Sequence, residues 1–175
     1  MKRFVGIAVV AVLLTFAGQK AVSQNLKFGH VNSDELIQSL PEFDSASANL
    51  ENFRKDLINA LELMTVELNN KNDAYTKESK NLTELVRQNK EQELIDMNRR
   101  IQEFQTNAQE QLQNKQMELF QPIYTKVDKA IKDVGKENGF VYLFDVSQAQ
   151  RGLLYFDETK STNVMPLAKA KLGLK

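Results

Sequence analysis

The residues best suited to chemistry are few. They are the single histidine, His30, and the acids that close two apolar runs: Asp145 in LFD (143–145), and Asp157 and Glu158 in FDET (156–159). A carboxylate pair of that kind can divide general-acid and general-base work. The inventory argues against it. With no cysteine and one histidine in 175 residues, thiol chemistry and histidine-based triads lack their parts. No glycine-rich phosphate loop is present. An acid ending a strand more commonly caps a turn, and a lone strand histidine is more commonly packed than a ligand. The expectation is a protein that is not an enzyme, with no catalytic residues, no cofactor and no metal.

The elements around those residues are more informative. Met1-Lys2-Arg3 is a positive leader, Phe4 to Gly18 is apolar or small, and AVSQ (21–24) offers small residues for cleavage after Ser23. Residues 1–23 read as a secretory signal peptide, too short and wrongly flanked for a spanning helix. Without that segment 20 basic residues face 23 acidic ones. Such a balance disfavours nucleic-acid binding. An exported chain without disulfides must draw its stability from packing or assembly.

Between Pro41 and Pro122 there is neither proline nor glycine. Long helix is expected there. An apolar stripe runs through Leu50, Phe53, Leu57, Leu61, Met64, Leu68 and Tyr75, then through Leu94, Met97, Ile101, Phe104, Ala108, Leu112 and Leu119. Steps of three and four alternate, as a helix–helix seam requires. Each half carries one doubled step of four, 53–57–61 and 104–108–112, a stutter that locally unwinds a supercoil. If the halves fold back with stutters facing, the reversal falls near residue 82 or 83. The first helix is expected from about Asp44 to Glu78, the second from near Leu82, with Asn81 and Glu84 as a capping box. Pro122 interrupts a run of Leu119, Ile123, Val127 and Ile131, and is expected where the second helix outruns its partner. It is the candidate hinge.

The flanks read as strands: LKFGHVN (26–32), and GFVYLFDVSQAQRGLLYFD (139–157) as two strands around a turn at 148–152. STNVMPLAKAKLG (161–173) reads as a terminal helix capped by Ser161 or Thr162, with Pro166 in its first turn. VYLFDV and GLLYF are apolar on both faces, so both must be covered. About 60 body residues bury too little surface to do so alone. Other subunits are expected to cover the second face, and the candidate contact residues are Phe28, Val31, Val141, Leu143, Leu153 and Tyr155.

A strand and short helix in KFGHVNSDELIQSLPEF, a long two-helix run, then NKQMELFQPIYTKVDKAIKDVGKENGFVYLFD and a terminal helix together resemble the Skp/OmpH periplasmic chaperones. The likeness spans essentially residues 24–175, and the LFQPI segment with its following LFD is its most specific part. It implies an α+β fold: a long antiparallel helical hairpin, a coiled-coil tentacle over 44–116, on a small β body from 24–43 and 117–175 shared within a homotrimer. It also implies an ATP-independent periplasmic holdase that keeps unfolded outer-membrane β-barrel proteins from aggregating in the cavity between tentacles.

The chain departs from the best-known member, which is strongly basic. Charges on the arms are mixed, and Arg99-Arg100 reads as a solvated face. No lipopolysaccharide site is carried over; indirect contact with membrane or lipopolysaccharide stays open. Apolar residues left over from the seam, Leu63, Val66, Tyr75, Leu85, Val86 and Ile95, are the candidate client contacts, weak singly and strong together. The alternative reading is a structural coiled-coil scaffold of the cell envelope.

Overall fold

The computed structural model describes residues 26–147 and 155–174; the expected signal peptide, the turn at 148–152 and Leu153 lie outside them. Strand β1 is Phe28–Val31, followed by helices α1 (Ser33–Gln38) and α2 (Pro41–Glu78). A 3₁₀ turn, Ser79–Asn81, leads into α3 (Glu84–Glu137). Strands β2 (Tyr142–Asp145) and β3 (Ser161–Asn163) and helix α4 (Met165–Lys171) complete the order.

The helix ends follow local chemistry. Pro41 opens α2 at its first position, where the missing N–H has no helical partner to lose. That places the start three residues ahead of the expected Asp44. The cap of α3 is Thr83 rather than Asn81. Leu82 and Thr83 are both extended, which leaves Thr83 Oγ1 to accept from the Val86 N–H. At the far end, Gly139 takes φ +68°. The Phe140 N–H then reaches the Gly135 carbonyl at 3.0 Å and the Gly139 N–H reaches that of Lys136 at 3.4 Å. This is the paired closure that a left-handed glycine allows.

Helices α2 and α3 run antiparallel. Glu42 pairs with Lys126, Tyr75 donates to Glu91, Lys71 pairs with Glu93, and Glu78 pairs with Lys90. As the numbers rise along α2 their partners on α3 fall, about a reversal between the helices. Every residue of the expected stripe is buried or half-buried, while most of its neighbours in sequence are exposed. Along the paired length beyond Ala46, at the base of the arm, only Met97 is fully buried, since two helices alone can cover only one side of a seam. At 1.5 Å per residue the 54-residue α3 is about 80 Å long.

The last five turns of α3 form the spine of the body. Phe120, Ile123, Val127, Ala130 and Val134 are all buried, at steps of three and four. Val31, Leu36, Leu40, Val164 and Ala168 close over this stripe from β1, α1 and α4. The expected repeat of four, through Leu119 and Ile131, lies on its partly buried flank. Helix α3 passes through Pro122 unbroken; the ring stands on the exposed side and Ile123 points inward.

The sheet has the order β2-β1-β3, and both outer strands are parallel to β1. The second of the two strands expected within 139–157 falls largely outside the described residues. Residues 155–157 carry no regular structure, and Ser161–Asn163, expected as the start of the last helix, forms the third strand. The reason is the position of β1. Its two edges each offer a row of backbone groups, and Ser161–Asn163 satisfies one of them without any apolar signal of its own. Helix α4 therefore starts at Met165, with the Asn163 side chain accepting its N–H at 2.9 Å.

Candidate interaction surfaces

The residues with chemical potential are taken up in structural tasks. Asp145 ends β2 and reaches the N-terminus of α1. Its carboxylate accepts the Ser33 N–H at 3.1 Å, the Ser33 hydroxyl at 2.5 Å and the Ser147 N–H at 3.0 Å. Burial pushes its carboxyl up, but the bonds from Ser33 and Ser147 outweigh it, and the pKa lies below the usual aspartate range. Asp157 is occupied separately, accepting from the Thr159 N–H and hydroxyl at 2.9 and 2.6 Å. His30 Nδ1 lies 2.9 Å from Ser161 Oγ, and its ring sits 4.6 Å from that of Phe156. Among the described residues no group of three or more His, Cys, Asp or Glu is placed to hold a metal. No described helix is long and apolar enough to cross a membrane.

Asp145 makes a testable contribution. Its folded-state pKa is depressed, so its ionised form adds stability above the ordinary carboxylate pKa, about 3.9. That increment is lost as pH falls through the lowered folded value. Asp145→Asn should therefore lower the urea midpoint at pH 7, and the gap to the native chain should close in acid. A gap of constant size from pH 7 to pH 3 would contradict this.

The register decides which strand faces are available. Gly29 and Val31 point into the body, and Val31 is 2% exposed. Leu143, level with Gly29, packs against the same core. Two residues expected at a subunit contact, Val31 and Leu143, are thus covered by the chain's own helices. Phe28 lies on the outer face, where its ring stacks parallel to that of Tyr142, and Tyr142 stacks in turn on Phe144. Tyr142 is 60% exposed; Val141 and Tyr155 are exposed as well. By alternation Tyr142 and Phe144 share one face of the strand and Leu143 lies on the other, but the sequence does not show which face turns inward. In a strand apolar on both sides, only the pairing partner shows which side turns inward.

The arm residues divide similarly. Leu63, Val66, Leu85, Val86 and Ile95 are all exposed. Tyr75 instead belongs to the seam. Its hydroxyl is committed to Glu91, and that bond, with desolvation and the Glu91 charge, raises its pKa. Ile58 and Met117, exposed on the same helices, add to the apolar surface.

A cleft of about 590 Å³ in the body is walled by Val31, Ile37, Val127 and Phe140, with Asp145 at its margin already engaged as a cap. Taken together, these features describe a protein that offers extended helical and sheet surfaces to its surroundings. The family model for outer membrane protein (OmpH-like) matches residues 27–172. The chain belongs to that family, the Skp/OmpH family, which is one of periplasmic chaperones and not of enzymes. No curated protein matches the sequence at a significant level.

Proposed function

We propose that the chain is an ATP-independent holdase of the periplasm, exported with loss of residues 1–23. In this reading it binds unfolded outer-membrane β-barrel proteins and keeps them from aggregating. The observation that carries this is on the arms. Two helices bury one seam against each other, and still leave Leu63, Val66, Leu85, Val86 and Ile95 to solvent. Scattered apolar contacts of this kind, weak singly and strong together, suit a client with no fixed shape.

Residues 44–116 form the tentacle and residues 24–43 and 117–175 the body. The outer sheet face, with Phe28, Tyr142 and Phe144, is the surface that three copies would share. Hinge motion near Pro122 would let the cavity between tentacles adjust to client size.

Diluting a urea-unfolded outer-membrane barrel into buffer tests the reading. The protein should suppress light scattering at near-stoichiometric amounts without ATP, and native mass measurement should give three chains. Scattering unchanged by the protein would support the envelope-scaffold alternative instead.

A further inference from the structure

The two stutters face each other in the arm, and the seam opens where they meet. Leu57, Leu61, Phe104, Ala108 and Leu112 line a groove of about 270 Å³, with Ile58 at its edge. The cause is legible. A stutter unwinds the supercoil locally, and Ala108 has too small a side chain to fill the space left opposite Leu57. The volume is just under the roughly 300 Å³ at which small-molecule pockets begin, room for one or two large apolar side chains.

The rim has unusual chemistry for this arm. Between residues 102 and 116 eight side chains are Gln or Asn and three are charged. Between 84 and 100 eight are charged. Gln105 and Gln109 border the groove, and among the described residues neither side chain makes a hydrogen bond to the rest of the chain. Arg54, also on the rim, has Nε and Nη2 both committed to Glu51 at 2.9 Å. The groove thus presents an apolar floor, an uncharged glutamine edge on α3 that can both donate and accept, and an Arg54–Glu51 ion pair on the α2 side.

We propose that this groove is a binding subsite for one extended, uncharged segment of the client, with the alternating side chains of a transmembrane β-strand. Such strands carry apolar residues on one side at every second position. One or two of these enter the groove, while Gln105 and Gln109 meet the peptide N–H and C=O groups that unfolded strands leave unpaired. The inference rests on the holdase reading and narrows it from diffuse contact to a defined place on the arm.

The probe is a synthetic uncharged peptide of about ten residues, the length of one spanning strand, alternating apolar and polar side chains. Its composition-matched isomer, with the apolar residues in one block, is the control. Binding is read by fluorescence anisotropy beside the scattering assay. Native protein should prefer the alternating peptide, and Gln105→Glu with Gln109→Glu should weaken it about tenfold, roughly 1.4 kcal/mol in binding. Ala108→Leu, which fills the groove, should do the same. The glutamine pair is exposed, so that variant keeps the test alive if the filled groove misfolds. Unchanged peptide binding in the glutamate variant, or no preference between isomers, overturns the subsite while suppressed scattering leaves the holdase reading standing. Groove-dependent peptide binding without suppression supports the subsite and overturns the holdase reading.

Discussion

Gly29→Val is expected to cost at least about 3 kcal/mol and to leave little folded body, at the upper end of what overpacking does. Gly29 is the second residue of the central strand, and it lies where β2, β3 and the end of α3 converge. A Cβ there would come within 2.7 Å of Leu143 Cδ2, 2.9 Å of Phe140 Cε1 and 3.0 Å of the Thr162 carbonyl oxygen. The first two atoms end side chains, but they have little freedom. Leu143 already sits 3.2 Å from the place a Cβ on Gly135 would take, and Phe140 packs against the core. The carbonyl belongs to the strand paired with Gly29 and cannot retreat without breaking that ladder. Valine adds two methyl groups to this clash. Gly29→Ala should be milder, about 1–3 kcal/mol. Urea unfolding followed by far-UV circular dichroism measures both. A valine variant within about 0.5 kcal/mol of the native chain, the range of an ordinary surface change, would show that the body yields at this point.

Leu36→Ala is expected to cost about 2–5 kcal/mol. Leu36 is wholly enclosed, 0% exposed, on a six-residue helix that packs against α2, α3 and α4. A helix of that length has almost no stability of its own, so its place depends on this side chain and on its caps. Truncation leaves a cavity where several elements meet, and none can move inward without abandoning another contact. Leu63→Ala provides the comparison. Leu63 is 72% exposed, and its loss should change stability by no more than about 0.5 kcal/mol. Under the proposed function the two variants should also separate in the holdase assay. Leu36→Ala would act through the folded fraction, and Leu63→Ala only through client affinity. Equal stability effects would mean that α1 is not part of the cooperative unit.

The long helices were legible because they rest on local rules. Steps of three and four from Leu50 to Leu119 place a stripe on one side of each helix whatever it packs against. The absence of proline and glycine between 41 and 122 leaves no place for another element. Even the reversal followed from periodicity, because two stutters fit best when they face each other. The cap at Thr83 was missed by two residues. Asn81 had the right chemistry, and only the extended backbone at Leu82 decides between them.

The body was less legible. Ser161–Asn163 reads as a helix start because it is short and polar, and what makes it a strand is the open edge of β1, some 130 residues earlier in the chain. Phe28, Tyr142 and Phe144 were separable from Val31 and Leu143 only after the register was known. A one-residue slip exchanges every side chain between faces, and a strand apolar on both sides contains nothing that forbids the slip. Periodicity and the lack of breakers thus determined the long helices and their reversal, since each depends on residues within a turn or two. The pairing of β1, the inward side of each strand and the groove at Ala108 were decided by the tertiary structure. They depend on which distant backbone happens to lie alongside, and that is a property of the folded chain rather than of any stretch of it.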